Sequence, residues 1–74
     1  MIKKNKEILN KLAENLKLER KKANLSQERL ANLSKLDRTY ISMIERSLKN
    51  PSLLTLKKLS SSLKINITDL VKDI

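Results

Sequence analysis

A chain with no glycine, one proline (Pro51) and one aromatic residue (Tyr40) has little from which to build anything but helices. No run alternates Val, Ile or Thr with polar residues, as a half-buried strand would. The sequence therefore predicts an all-α fold. With 74 residues it forms one domain, 1–74, with a modest core. Oligomerisation is one common way for a domain this small to bury more surface.

Five helices can be placed. The first runs from about Lys4 to Ala23, with Leu9, Leu12, Ala13, Leu16 and Ala23 on one apolar stripe and Lys3, Lys6, Lys17 and Lys21 off it. Asn24 is a left-handed stop where glycine is commoner. Ser26 caps the second helix, which carries Leu30 and Ala31 inward and ends near Ser34. After the turn Ser34-Lys35-Leu36, Asp37 caps a third helix from Arg38 to about Arg46, burying Ile41 and Ile44. A basic loop, Ser47 to Asn50, leads through Pro51 to Ser52, the cap of a fourth helix ending near Leu63. Its core face is Leu53, Leu56, Leu59 and Leu63, which leaves Leu54 as an exposed apolar residue. Asn66 with Asp69 three residues on is a capping-box start for a short fifth helix carrying Ile67, Leu70 and Val71.

Composition narrows the function. Without Cys or His there is no thiolate nucleophile, His-based triad or structural zinc site, so the expectation is a non-enzyme with no cofactor and no metal. No stretch nears the roughly 20 apolar residues of a membrane span, and no apolar export segment follows the charged first residues. The net charge is +9, from 17 Lys and Arg against 8 Asp and Glu. A Lys-rich solvated surface accounts for such a charge; so does a surface that binds phosphate and releases counterions.

The third helix favours the second account. Opposite Ile41 and Ile44 it presents Arg38, Thr39, Ser42 and Met43, with Tyr40 at the edge. A helix read in the major groove exposes three or four side chains from its N-terminus in this way. Arg can bond guanine O6 and N7 together, and a Thr methyl suits thymine's methyl. Taken singly, Arg38 is more readily a solvated charge and Tyr40 more often a partly buried core aromatic. Their shared helix behind a tight turn gives the set its meaning.

Residues 16–71 resemble the lambda-repressor-like (Cro-type) helix-turn-helix family. The resemblance is carried by Leu25-Ser26-Gln27, Leu30-Ala31, Tyr40-Ile41-Ser42, Ile44-Glu45-Arg46 and Asn50-Pro51-Ser52-Leu53, with Leu56, Leu59 and Asn66 to Val71 continuing the pattern. Within it, Leu36 to Ser42 followed by Ile44-Glu45-Arg46 looks most like controller proteins of restriction–modification systems. The resemblance implies a compact five-helix DNA-binding domain with its helix-turn-helix at 26–46 and a dimerisation region at 53–74. It implies a bacterial or phage-encoded, cytoplasmic homodimer on a pseudo-palindromic operator, regulating its own gene and the endonuclease gene. Arg38, Thr39 and Tyr40 align with base-reading positions, with Ser42 and Met43 beside them. Gln27, Arg46, Lys49, Asn50 and Ser52 align with positions that grip phosphates; Gln27 alternatively braces the reader helix.

Arg20 and Glu45 align with a pair that ties the first helix to the third, phosphate binding being the alternative for Arg20. Leu54, Leu70 and Ile74 are candidates for the dimer interface; the other reading puts Leu70 in the core and leaves Ile74 a frayed end. The chain departs from the family pattern at Lys35 and Ser47-Leu48, where glycine is usual, and at Glu19, where an apolar residue is common. Phage-type repressors and antitoxins share the same core. A protein-interaction module without DNA binding is the reading from a different class.

Overall fold

A computed structural model describes residues 4–74; Lys3, placed off the apolar stripe above, lies outside them. Among the described residues the chain forms five helices and no strand: α1 (Asn5–Lys22), α2 (Gln27–Ser34), α3 (Arg38–Glu45), α4 (Leu53–Leu63) and α5 (Ile67–Leu70). The five-helix, all-α architecture expected from the sequence is the one found. None of the helices is long and apolar enough to cross a membrane.

Short helices need defined ends. Ser26 Oγ accepts from the Arg29 N–H at 3.0 Å, Asp37 Oδ1 from Thr39 at 2.9 Å and Ser52 Oγ from Thr55 at 3.1 Å. Each such cap contributes about 1 kcal/mol by satisfying an amide that has no intrahelical acceptor. At the start of α5, the Asp69 carboxylate accepts from the Asn66 N–H at 3.1 Å.

The C-terminal ends repeat one device four times. Asn24, Lys35, Ser47 and Lys64 are left-handed, with φ between 56° and 63°. The next residue then returns its N–H to a carbonyl five residues back: Leu25 to Arg20, Leu36 to Ala31, Leu48 to Met43 and Ile65 to Ser60, at 2.8 to 3.1 Å. This is the Schellman stop, usually built on glycine and followed by an apolar residue that tucks back against its own helix. Leu25, Leu36 and Ile65 do pack against the core, whereas Leu48 remains 53% exposed. A residue with a Cβ pays up to about 1–2 kcal/mol for this conformation. Lys64→Gly is therefore expected to stabilise the fold by about 0.5–1 kcal/mol, after allowing for glycine's greater unfolded-state entropy. Urea denaturation of the two proteins measures it, and a lower midpoint for the variant contradicts the assignment.

The core gathers Leu12 and Leu16 of α1, Leu30 and Ala31 of α2, Ile41 and Ile44 of α3, Leu59 and Leu63 of α4, and Leu70 of α5. Each fully buried Leu or Ile contributes about 1.5–3 kcal/mol. α1 packs on α3 and α5, α2 on α3 and α4, and α4 on α5.

Three expectations are corrected. Ala23 is exposed, because α1 ends at Lys22 and Ala23 is its cap, beyond the buried stripe. Leu53 is not a core residue: it is 71% exposed beside Leu54 at 75%, and Pro51 supplies the buried contact at that end. The inward stripe of α4 begins only at Leu56. Leu70 is fully buried and so is unavailable as a dimer contact. Of the three interface candidates, Leu54 and Ile74 (40% exposed) remain on the surface, joined by Leu53 and Val71.

Candidate nucleic-acid interface

The turn between α2 and α3 spans Lys35 to Asp37, where the left-handed Lys35 reverses the chain and Leu36 anchors it in the core. Asp37 then starts α3 with its first residues facing outward. Arg38 and Thr39 are exposed; Ser42 and Met43 are half-buried on the same side; Ile41 and Ile44 point inward. Residues 38, 39, 42, 43 and 46 fall on one outward arc of a 3.6-residue helix, so the backbone presents them together.

α3 is only eight residues long, too short to hold its own position. It is held from behind. Glu45 is buried, its side chain 2% exposed, and it receives Arg20 in a two-pronged pair: Nε to Oε2 at 2.6 Å and Nη2 to Oε1 at 3.0 Å. The third guanidinium nitrogen donates to the Leu25 carbonyl at 2.7 Å. Gln27 Nε2 donates to Glu45 Oε1 at 3.1 Å. The hydrogen bond that Arg20 donates to Glu45 raises the Arg20 pKa further above its ordinary value, against the lowering effect of burial, so Arg20 is a permanent cation here. This cluster ties α1, the start of α2 and the end of α3 at one point. Arg20 is thereby committed to structure, and the Gln27 amide nitrogen faces Glu45. Among the described residues, no buried side-chain N or O lacks a hydrogen-bond partner.

Tyr40 combines its two sequence readings. Its ring is half-buried and packs against the core, and Lys49 Nζ lies 6.0 Å from the ring centroid. At that distance the cation and the ring attract weakly, which draws the basic loop towards α3. Lys49 and Asn50 are exposed, as is Arg46, whose Nε makes only a long 3.4 Å contact to the Ser42 carbonyl. The Ser52 hydroxyl is occupied, accepting from Thr55 N–H and donating to Thr55 Oγ1 at 3.1 Å. What this end of α4 offers an anion is its free first-turn amides and the positive end of its dipole.

The surface is thus a short helix with exposed Arg38 and Thr39, flanked by Arg46, Lys49 and a helix N-terminus. That arrangement suits a groove floor between two phosphate chains. Leu48, named from the sequence only as a departure from the family pattern, is exposed within the same loop.

Residues 16–70 match the Helix-turn-helix family. The chain is 47% identical over 58 residues to control protein C.MunI of a Mycoplasma species, covering 78% of each chain. Its structure is similar to that of the restriction–modification controller protein C.AhdI from Aeromonas hydrophila, with a TM-score of 0.82 and 42% identity, covering 84% of this chain and 94% of that one. It is also similar to controller protein C.Esp1396I, solved as a tetramer with its natural 35 base-pair operator: TM-score 0.76, 33% identity, 88% and 96% covered.

Proposed function

Because the chain belongs to the helix-turn-helix family of restriction–modification controller proteins, we propose that it is a sequence-specific DNA-binding regulator that acts as a homodimer on a pseudo-palindromic operator. The observation that carries this is the pairing of an outward Arg38–Thr39 edge with an Arg20–Glu45–Gln27 lock behind it, centred on the buried Glu45. A helix that is exposed at one end and fixed at the other is built to present side chains at a set angle.

In this reading Arg38, Thr39 and Tyr40 read base edges, with Ser42 and Met43 alongside. Arg46, Lys49, Asn50 and the α4 N-terminus at Ser52 set the register on phosphates. Gln27 braces the reader helix through one proton of its amide nitrogen, and the second proton is a donor for phosphate. Leu54 and Ile74, with Leu53 and Val71, form the surface that joins two copies through the region 53–74. The two reader helices then enter successive major grooves about 34–36 Å apart. Occupancy by one dimer or two would block or recruit polymerase at the protein's own promoter and that of the endonuclease. The chain acts without catalysis, in the cytoplasm, on chromosomal or phage DNA.

The test is binding to the inverted repeat upstream of the gene. The expected result is a two-fold symmetric footprint whose affinity falls at least about a hundredfold between 50 and 200 mM salt. Affinity unchanged by salt would favour the protein-interaction module. Sedimentation showing only monomer at micromolar concentration, with and without operator, would remove the two-fold scheme.

A further inference from the structure

We propose that Asn15 is a positioning residue that sets the half-site spacing the dimer accepts, an inference that rests on the two-fold reading above. Asn15 lies on α1, is 8% exposed, and belongs to neither the base-reading nor the phosphate-contacting set. Its side-chain nitrogen donates to two carbonyls, Leu70 and Lys72, each at 2.9 Å. Both amide protons are therefore spent on the C-terminal segment, 55 and 57 residues away in sequence.

That segment depends on its neighbours for its orientation. α5 is four residues long, and a helix of one turn has no independent stability. Its placement comes from the Asn66–Asp69 cap, from packing on α4 and α1 with Leu70 in the core, and from the Asn15 amide. Val71 and Ile74, the exposed apolar residues of this end, sit on the stretch that Asn15 clamps.

Five residues further along the same helix, Arg20 grips Glu45 at the end of the reader helix. Asn15 and Arg20 are separated by about 7.5 Å of helix rise. α1 is thus a rod with one polar lock on the assembly end and another on the reading end. α4 carries Leu54 on a second path, so the interface is held from two sides, and Asn15 is the polar hold on one of them. In a dimer the distance and angle between reader helices are set by two such rods. One extra base pair turns a half-site by about 35° and moves it about 3.4 Å. A stiff path between the reading helices penalises that change; a slack one absorbs it.

The experiment uses full-length protein and the operator in three forms: natural spacing between half-sites, one base pair longer and one shorter. The wild type is expected to lose about tenfold or more in affinity on either altered spacer. Asn15→Ala is expected to lose about threefold or less, while keeping the wild-type preference at the base pair read by Arg38. Asn15→Ser, which keeps one donor, should fall between them and is the variant to use if Asn15→Ala does not give a helical circular dichroism spectrum. An unchanged spacer penalty overturns the proposal. So does a uniform loss on every spacer and every base substitution, which is what simple destabilisation would produce. If the wild type gives no two-fold footprint on any spacer, the dimer reading itself fails and takes this one with it, an outcome distinguishable from the other two.

Discussion

Glu45→Ala is expected to cost about 3–5 kcal/mol of folding stability, because it strands a buried guanidinium among groups arranged to receive a carboxylate. Arg20 is 11% exposed in its side chain and has three nitrogens committed, two of them to Glu45. Small domains are stable by about 5–15 kcal/mol, so this one change removes a large share. Arg20→Ala should cost a similar amount by leaving Glu45 charged and buried. The double variant should cost less than the sum of the two singles, since the second removal takes away a group that the first had already left unpaired. Urea denaturation of all four proteins measures the coupling. Additive losses would mean that the pair, despite its geometry, does not act as a unit. The DNA consequence follows: with the lock gone, α3 keeps Ile41 and Ile44 in the core but loses its angular restraint.

Arg38→Ala should weaken binding to the operator by about 1–3 kcal/mol and flatten the preference at a single base pair. Lys49→Ala is the contrasting case. It should weaken specific and random duplexes alike and reduce the slope of log affinity against log salt by about one. The two residues sit on one surface and carry the same charge, so total charge cannot account for different behaviour. Binding measured on the operator, on single-base variants and on random duplex at several salt concentrations separates them. If Arg38→Ala lowers affinity equally for all sequences, Arg38 is a phosphate contact and the base-reading set shrinks to its neighbours. Folding stability should be nearly unaffected in both variants, because both side chains are exposed.

Much of the architecture was legible because it is written locally. Ser26, Asp37 and Ser52 announce helix starts within three residues, and Ile41 with Ile44 fixes which side of α3 is inward. The outward edge at Arg38 and Thr39 follows from that spacing alone. What was not legible depends on partners far along the chain. In the sequence Asn15 is one more polar residue on a Lys-rich helix, and its partners, the Leu70 and Lys72 carbonyls, lie at the other end of the chain. Leu53 and Leu54 are adjacent leucines; period suggested that one is inside, but both lie outside because the packing begins a turn later. Leu70 fitted both the core and the interface by composition, and only the burial of α5 against α1 and α4 decides it. The four helix stops, Asn24-Leu25, Lys35-Leu36, Ser47-Leu48 and Lys64-Ile65, share a polar-then-apolar signature; the residue type marks Asn24, the family pattern marks Lys35 and Ser47, and nothing in the single residue marks Lys64.

Those stops have a bearing on how the molecule comes apart. A glycine at a helix end enters its bend without steric cost. Lys35 and Lys64 do not, and are held in place by what Leu36, Ile65 and the neighbouring helices gain on burial. Each boundary exists only while the whole interior does. Loosening any one helix therefore releases the ends of the others, so heat or denaturant should melt this chain in one step, with backbone and side-chain probes changing together.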